Sequence, residues 1–273
     1  MSAGRATIEQ LSELEALGEL EGLLAGIWDR PDKPPINVDL LRALSHSGNY
    51  VAAARVDGRL VGGLVGWLGA RTAHELHLHS HILGVVADAQ AAGVGFQLKQ
   101  DQRRWCLERG VKAVEWTTDP LVSRNAYFNL NKLGARASDY LVNFYGVMTD
   151  GLNAGEESDR LLITWKLDSP QAQSAAEGRA AEPDIDGLIR EGAAVALAVG
   201  PAGEPVAAAA SSARVLICQV PEDIVAIRHE SPAIAHSWRL ALRRVLGGAL
   251  DAGYEVTAAT RNGWYVLESI RPE

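Results

Sequence analysis

Apolar residues recur at helical spacing near the start of the chain: Ile8, Leu11, Leu14, Leu17, Leu20, Leu24 and Trp28. That period predicts a helix of about six turns. Thr7 and Gln10 fit a capping box at its start, and the prolines of "RPDKPP" end it. A short helix follows over 38–46. The period then changes. In "NYVAAARVDGRLVGGLVGWLGA" two apolar runs flank Asp57-Gly58, a hairpin signal, because glycine tolerates the positive φ of a primed turn. A third strand, roughly His74 to Val86, leads into a glycine-containing turn. Gln97 to Arg109 reads as a helix closing at Gly110, and "KAVEWTTD" as a strand. "SRNAYFNLNKLGA" reads as a helix closing at Gly134, and "LVNFYGVM" and "RLLITWKL" as strands. The order ααβββαβαβ mixes an antiparallel meander with βαβ crossovers, so an α/β chain with a mixed sheet is expected.

Large apolar residues thin out in "DSPQAQSAAEGRAAEPD", which reads as a linker. Beyond it "AAVALAVG", "RVLICQV", a helix around "SWRLALRRVLGGALDAG", "YEVTAAT" and "WYVLES" outline a smaller α/β unit. The expected domains are therefore 1–168 and 185–273, joined by 169–184. "DQRRWCLERGVKAVEWTTD" and "LRRVLGGALDAGYEVTAAT" both run helix, glycine, strand. A degenerate repeat and an ordinary βαβ unit account for that equally. Trp238, Leu242, Val245 and Leu246 share one side of the C-terminal helix, which suits a core or a homodimer interface.

Composition narrows the function classes. With 273 residues, 47% of them hydrophobic, the chain is long enough for one or two packed domains. A net charge of −8 and no basic run interleaved with aromatics argue against a nucleic-acid partner. Cys106 and Cys218 are the two cysteines, which argues against a disulfide framework and suits a reducing cytoplasm. No leader-like segment and no apolar run of about 18 residues point to a membrane.

The turn Gln90-Ala91-Ala92-Gly93-Val94-Gly95 hands a strand over to a helix. Glycines there let a ligand approach the backbone and leave the first helical amides open, a site for pyrophosphate. No Gly-Lys-Ser/Thr follows, so it is not a nucleotide P-loop. Three strands precede it and Glu115 lies within a strand, so the dinucleotide fingerprint is not met either. The run Leu83-Gly84-Val85-Val86-Ala87-Asp88-Ala89-Gln90-Ala91-Ala92-Gly93-Val94-Gly95 resembles motif A of the GNAT superfamily of N-acetyltransferases. The helix–helix–hairpin order before it and "NAYFNLNKLGA" after it resemble the rest of that fold, over about residues 5–168.

The resemblance implies a GNAT-like mixed, mostly antiparallel twisted sheet flanked by helices. It also implies acetyl-coenzyme A, or another acyl-coenzyme A, as co-substrate. Leu83 and Val85 would meet the pantetheine arm through their backbones, and the Val94, Gly95 and Phe96 amides would hold phosphate. Gln90 and Gly93 shape the turn, while Lys99, one turn further on, could reach a phosphate or equally be a solvated helix charge. Asn125 could bind coenzyme A or cap its helix. "HSHILGV", "WTTDPLVSRNAYFNLNKLGA" and "NFYGVMTDGLNAGEESDRLLITW" further resemble a branch of predicted acyltransferases, some linked with succinyl transfer to amino acids. Succinyl-coenzyme A and an amino-acid or other small amine acceptor therefore enter as expectations.

The family's chemistry is direct attack of an amine on the thioester, which needs a general base and often an acid. His77, His79 and His81 alternate along the strand before the turn. A metal is not expected there, because no carboxylate motif completes the set. His81 and His79 are the base candidates, with a structural histidine the equal alternative, and a bulge would decide which faces the substrate. Leu130 stands where a tyrosine acid is common in the family, so the chain either lacks that acid or recruits Tyr127, Asn125, Asn129 or Tyr145. Arg160, in the polar loop ending "DGLNAGEESDRL", suits capture of a carboxylate, or else pairs locally with Asp159. Trp116, Thr117 and Asp119 end a strand where substrate pockets gather, or Asp119, before Pro120, simply starts the turn. Two readings remain: an acyl-coenzyme A-dependent N-acyltransferase, and a non-catalytic module or sensor that keeps the fold.

Overall fold

In a computed structural model, which describes residues 6–72, 75–146, 157–209 and 211–270, Thr7–Gln10 form a strand, β1, rather than a helix start. β1 pairs antiparallel with β2 (Tyr50–Val56), Thr7 opposite Arg55 and Gln10 opposite Ala52. The Leu11 N–H continues the ladder to the Val51 carbonyl at 2.9 Å. Pairing with a buried strand gives these backbone groups partners that a first helical turn leaves open. Helix α1 therefore covers only Leu14–Ile27. Leu17, Leu20 and Leu24 of the predicted stripe are fully buried along it.

The chain divides into one unit ending at Trp116 and a second beginning at Thr117. In the first, the strand order is β1-β2-β3-β4-β5, with β3 at Arg59–Ala70, β4 at Leu76–Val85 and β5 at Ala113–Thr118. The Asp57-Gly58 turn has both residues at positive φ, +50° and +80°, as a primed hairpin requires. Helix α2 (Val38–His46) follows the predicted bounds, with the Asn37 side chain accepting from the Leu40 N–H at 3.0 Å. α1 and α2 cover one face of the sheet: a Cβ on Gly63 would collide with Leu20, and one on Gly84 would lie 2.9 Å from Leu24 and Trp28. The other face carries α4 (Val94–Glu108), because a Cβ on Gly62 would lie 3.4 Å from Leu98. Between β4 and α4 sits a single helical turn, α3 (Ala87–Gln90).

In the second unit, β6 (Arg136–Leu141) pairs antiparallel with β7 (Arg160–Lys166) and, through Ala137 opposite Val256, with β11 (Tyr254–Ala259). The sheet continues through β12 (Trp264–Ser269), β10 (Val215–Gln219), β8 (Ala194–Val199) and β9 (Pro205–Ala207). The strand expected over 141–148 lies earlier, at β6. Residues 142–145 turn, with Asn143 at φ +47°, and positions 147 and 148 fall outside the described residues. The expected helix from Ser123 is α5 (Ser123–Ala126) running into a π-helical stretch, Tyr127–Lys132. The expected linker contains α6 (Pro170–Ala176), capped by Ser169, opened by Pro170 and burying Ala172 and Ala175. After α7 (Ile185–Arg190) and α8 (Ile224–Glu230), helix α9 (Pro232–Leu242) passes through π-helical Arg243–Gly247 into α10 (Gly248–Asp251). Trp238, Leu242 and Leu246 are fully buried there, so that face serves the unit's own core.

The division at 116/117 thus differs from the expected one at 169–184. β6, assigned to the first domain, pairs with β11, assigned to the second, and buried ion pairs join the same two segments. Of the strand pairings described, β4–β5 and β8–β10 are parallel and the others antiparallel. This is the mixed, mostly antiparallel α/β architecture that was expected. Among the described residues, no helix is long and apolar enough to cross a membrane.

Candidate active site

Gly93 adopts the left-handed conformation, φ +74° and ψ 18°, and caps α4. Such a conformation costs a residue bearing a Cβ about 1–2 kcal/mol. No side chain caps the helix, and its first backbone bond runs from Gln97 N–H to the Gly93 carbonyl at 3.1 Å. The amides of Val94, Gly95 and Phe96 are therefore the open donors at the positive end of a 15-residue helix, an arrangement that suits an anion. Gln90 does not extend this set. Its Nε2 donates to the Val85 carbonyl at 3.1 Å, tying the turn back to the end of β4.

Beside the turn, β4 and β5 part company. They pair only at Leu78 with Val114 and at His79 with Glu115. From Ser80 onward that edge of β4, including Leu83 and Val85, pairs with no strand among the described residues. A bulge sits at the same point. Val65 faces Ile82 and Gly66 faces Ser80, which leaves His81 as the extra residue. The bulge shifts the strand's phase by one. Before it, Ser80 reaches Lys99 on the α4 side. After it, Val85 faces that side, where both it and Leu98 would touch a Cβ on Gly62, while Gly84 faces α1.

His79 and His81 come together. Their rings lie 5.9 Å apart, and Trp67 packs against both, at 4.9 and 4.7 Å between centroids. Burial, then the neighbouring His81 and His77, lowers the His79 pKa below the ordinary histidine value, and burial lowers that of His81. Both rings are thus held in the neutral form that can accept a proton near pH 7. His77 turns instead towards Glu115, Nε2 to Oε2 3.8 Å, and Glu115 also receives Arg71 at 2.8 Å. Among the described residues, no group of three or more His, Cys, Asp or Glu side chains is placed to hold a metal.

Lys99 does not reach towards the open amides. It is 3% exposed, donates to Ser80 Oγ at 2.8 Å and to Gln102 Oε1 at 3.1 Å, and stacks 3.8 Å from the centre of the Trp116 ring. At this position of α4 the side chain points into the sheet, because α4 buries Val94, Leu98, Lys99 and Gln102 together. Trp116, expected in an acceptor pocket, is 8% exposed and packs with that lysine.

The remaining candidates lie in the second unit. Asn125 is exposed in α5. Tyr127 opens the π-helical stretch, with the Arg261 guanidinium 4.7 Å above its ring. Leu130 is 3% exposed and belongs to the core. Tyr145 is half exposed, its hydroxyl 3.0 Å from Thr117 Oγ1, and Arg160 lies 5.5 Å from its ring. Arg160 is itself buried, donating to the Asp159 carbonyl at 3.0 Å and lying 3.9 Å from the Asp119 carboxylate. The local Asp159–Arg160 side-chain pair is not formed. The Asp159 carboxylate instead receives Arg243 at 2.8 Å, the Tyr140 hydroxyl at 2.8 Å and the Asn143 N–H at 3.0 Å. Asp119 is no mere turn residue, since its carboxylate accepts from Arg228 at 2.6 Å and from Arg239 at 2.9 Å.

Sequence reasoning missed Trp67, Ser80, Gln102, Arg228 and Arg239. Extending the hairpin register would have put Trp67 near the histidines, since it lies opposite His79. The arginines meet Asp119 across 109 and 120 positions, and no local pattern marks such contacts.

Residues 15–134 match the model of the acetyltransferase (GNAT) family. An N-acetyltransferase from Staphylococcus aureus Mu50 superposes with a TM-score of 0.50 at 15% identity, over 60% of this chain and 100% of that one. A GNAT-family acetyltransferase from Streptococcus pneumoniae gives 0.48 at 12% identity, over 59% and 98%. Aminoglycoside 6'-acetyltransferase type Ii gives 0.47 at 17% identity, over 60% and 98%. No curated protein matches the chain in sequence.

Proposed function

We propose that the protein, whose residues 15–134 match the model of the acetyltransferase (GNAT) family, is an acyl-coenzyme A-dependent N-acyltransferase acting on a small-molecule amine. The observation that carries this reading is the trio of uncapped amides at 94–96, beside a strand edge that pairs with no strand among the described residues. Such donors, backed by the helix dipole, fit a pyrophosphate. Gln90 and Gly93 shape the turn, and the backbones of Leu83 and Val85 offer a strand edge to the pantetheine arm. Coenzyme A supplies the acyl group as a thioester, with acetyl the first choice and succinyl the second.

His81, on the bulge with His79 beside it, takes the proton from the acceptor's ammonium and so exposes the nitrogen lone pair for attack. Leu130 donates nothing. Tyr127 is the proposed source of the proton for the departing thiolate, with Asn125 at the same end of its helix. Arg160 and Trp116 are already engaged with protein groups, which weakens the case for an amino-acid carboxylate at Arg160. Tyr145, half exposed, is the better acceptor contact.

Thermal shift with coenzyme A, acetyl-coenzyme A and succinyl-coenzyme A tests the reading. A ligand at about 100 times its Kd stabilises by roughly 2.7 kcal/mol. Absence of any shift at millimolar ligand would sink the proposal. His81→Ala is expected to lower kcat by about 10²- to 10⁴-fold with coenzyme A affinity unchanged. It should also erase the acid limb of the pH–rate profile, which arises because only the neutral ring accepts a proton and lies below histidine's ordinary pKa because burial lowers that of His81. The buried Leu130 favours a second reading, a non-catalytic acyl-coenzyme A sensor. That reading is distinguished by a thermal shift without thiol release for any amine.

A further inference from the structure

Lys99 lies where the two strands separate. The last residues paired between β4 and β5 are His79 and Glu115, so Ser80 and Trp116 are the residues next after that pair. The Lys99 ammonium touches both: 2.8 Å to Ser80 Oγ on one strand and 3.8 Å to the centre of the Trp116 ring on the other. Gln102, fully buried, commits its amide oxygen to the same nitrogen at 3.1 Å. Its Nε2 is left with no hydrogen-bond partner among the described residues. A helix face that only had to fill space would carry an apolar residue here, as it does at Leu98, because a buried ammonium gives up its hydration. Ser80 also precedes the bulged His81, so whatever fixes Ser80 fixes the bulge.

We propose that Lys99 is a positioning residue that holds the root of the β4–β5 fork at a set opening by gripping, on each strand, the residue next after the last β4–β5 pair. The inference rests on the proposed reading, in which the pantetheine arm lies along the β4 edge of that fork. Lys99 touches no part of the nucleotide site; it sets the width of the slot.

The test compares two ligands by calorimetry on the full-length protein. One is coenzyme A. The other is 3′-phosphoadenosine 5′-diphosphate, which keeps the nucleotide and pyrophosphate but lacks the pantetheine arm. Lys99→Met is expected to weaken coenzyme A about tenfold and leave the truncated nucleotide unchanged. Ser80→Ala, which frees one strand and retains the lysine, should show the same pattern at roughly threefold, and it carries the test if Lys99→Met does not fold. Equal losses for both ligands, or no loss for either, would overturn the inference. Wild-type protein that binds neither ligand would overturn the acyl-coenzyme A reading, and this inference with it.

Discussion

Burial lowers the Lys99 pKa to about 7, whereas an unfolded lysine titrates near 10.4. Between those values the unfolded chain binds more protons, so stability rises as pH climbs from about 7 to about 10. Below pH 7 the cost of the buried charge is carried in full. The stack on Trp116 favours the charged form and opposes this shift, although desolvation is the larger effect. Lys99→Met, of similar length and apolar, is expected to raise Tm at pH 6, with the margin narrowing towards pH 9. Parallel Tm–pH curves for the two proteins would contradict that account. Asp119 behaves in the opposite sense. Burial alone would raise its pKa, but the charges and hydrogen bonds of Arg239 and Arg228 outweigh burial and hold the carboxyl far below its ordinary value. Its contribution is present above about pH 4, the unfolded value, and is lost as pH falls below it. Asp119→Asn leaves buried guanidinium groups without their counter-charge and is expected to cost about 3–5 kcal/mol. Urea unfolding measures it, and a loss below about 1 kcal/mol would mean the clasp is not a source of stability.

Glycines separate backbone conformation from packing at the level of the element. Gly93 has positive φ and open space where a Cβ would sit, whereas Gly63 has an ordinary φ and Leu20 in the way. Gly93→Ala is therefore expected to lose about 1–2 kcal/mol by strain alone. Gly63→Ala should lose about 1–3 kcal/mol by overpacking against α1. A compensating Leu20→Val change should rescue only the second, and chemical denaturation of the four proteins checks it. The same distinction explains what was legible in the sequence. The Asp57-Gly58 hairpin, α2 and the glycine turn were legible because their chemistry is local: primed-turn residues, an Asn cap, a left-handed cap. β1 was not, because its pairing with β2 is a long-range choice that two apolar residues at helical spacing disguise. Lys99 was read outward from sequence distance along α4, yet the helix face decides direction and turns it inward. The two π-helical stretches add residues that no 3.6-residue count anticipates, so a helix face read by that count across either of them is displaced.

For the whole molecule, the expected linker is no place to cut. Ending the chain at residue 168 would remove β11 from β6 and take Arg228, Arg239 and Arg243 from Asp119 and Asp159. Two buried carboxylates would then stand without their strongest partners, at several kcal/mol each. In the 1–168 fragment the stretch beyond Trp116 is expected to stay unfolded, its amides exchanging without protection. Protection of the amides of β6 and β7 at the full-length level would show the two segments to be independent. The span of these contacts also bears on synthesis. Asp119 waits 120 positions for Arg239, which at about 5–20 residues per second is roughly 6–24 s of translation. The first unit, complete at Trp116, has every residue it needs well before then. A nascent chain thus leaves the ribosome with its amino-terminal half free to fold and the other half holding an acid whose arginines are not yet made.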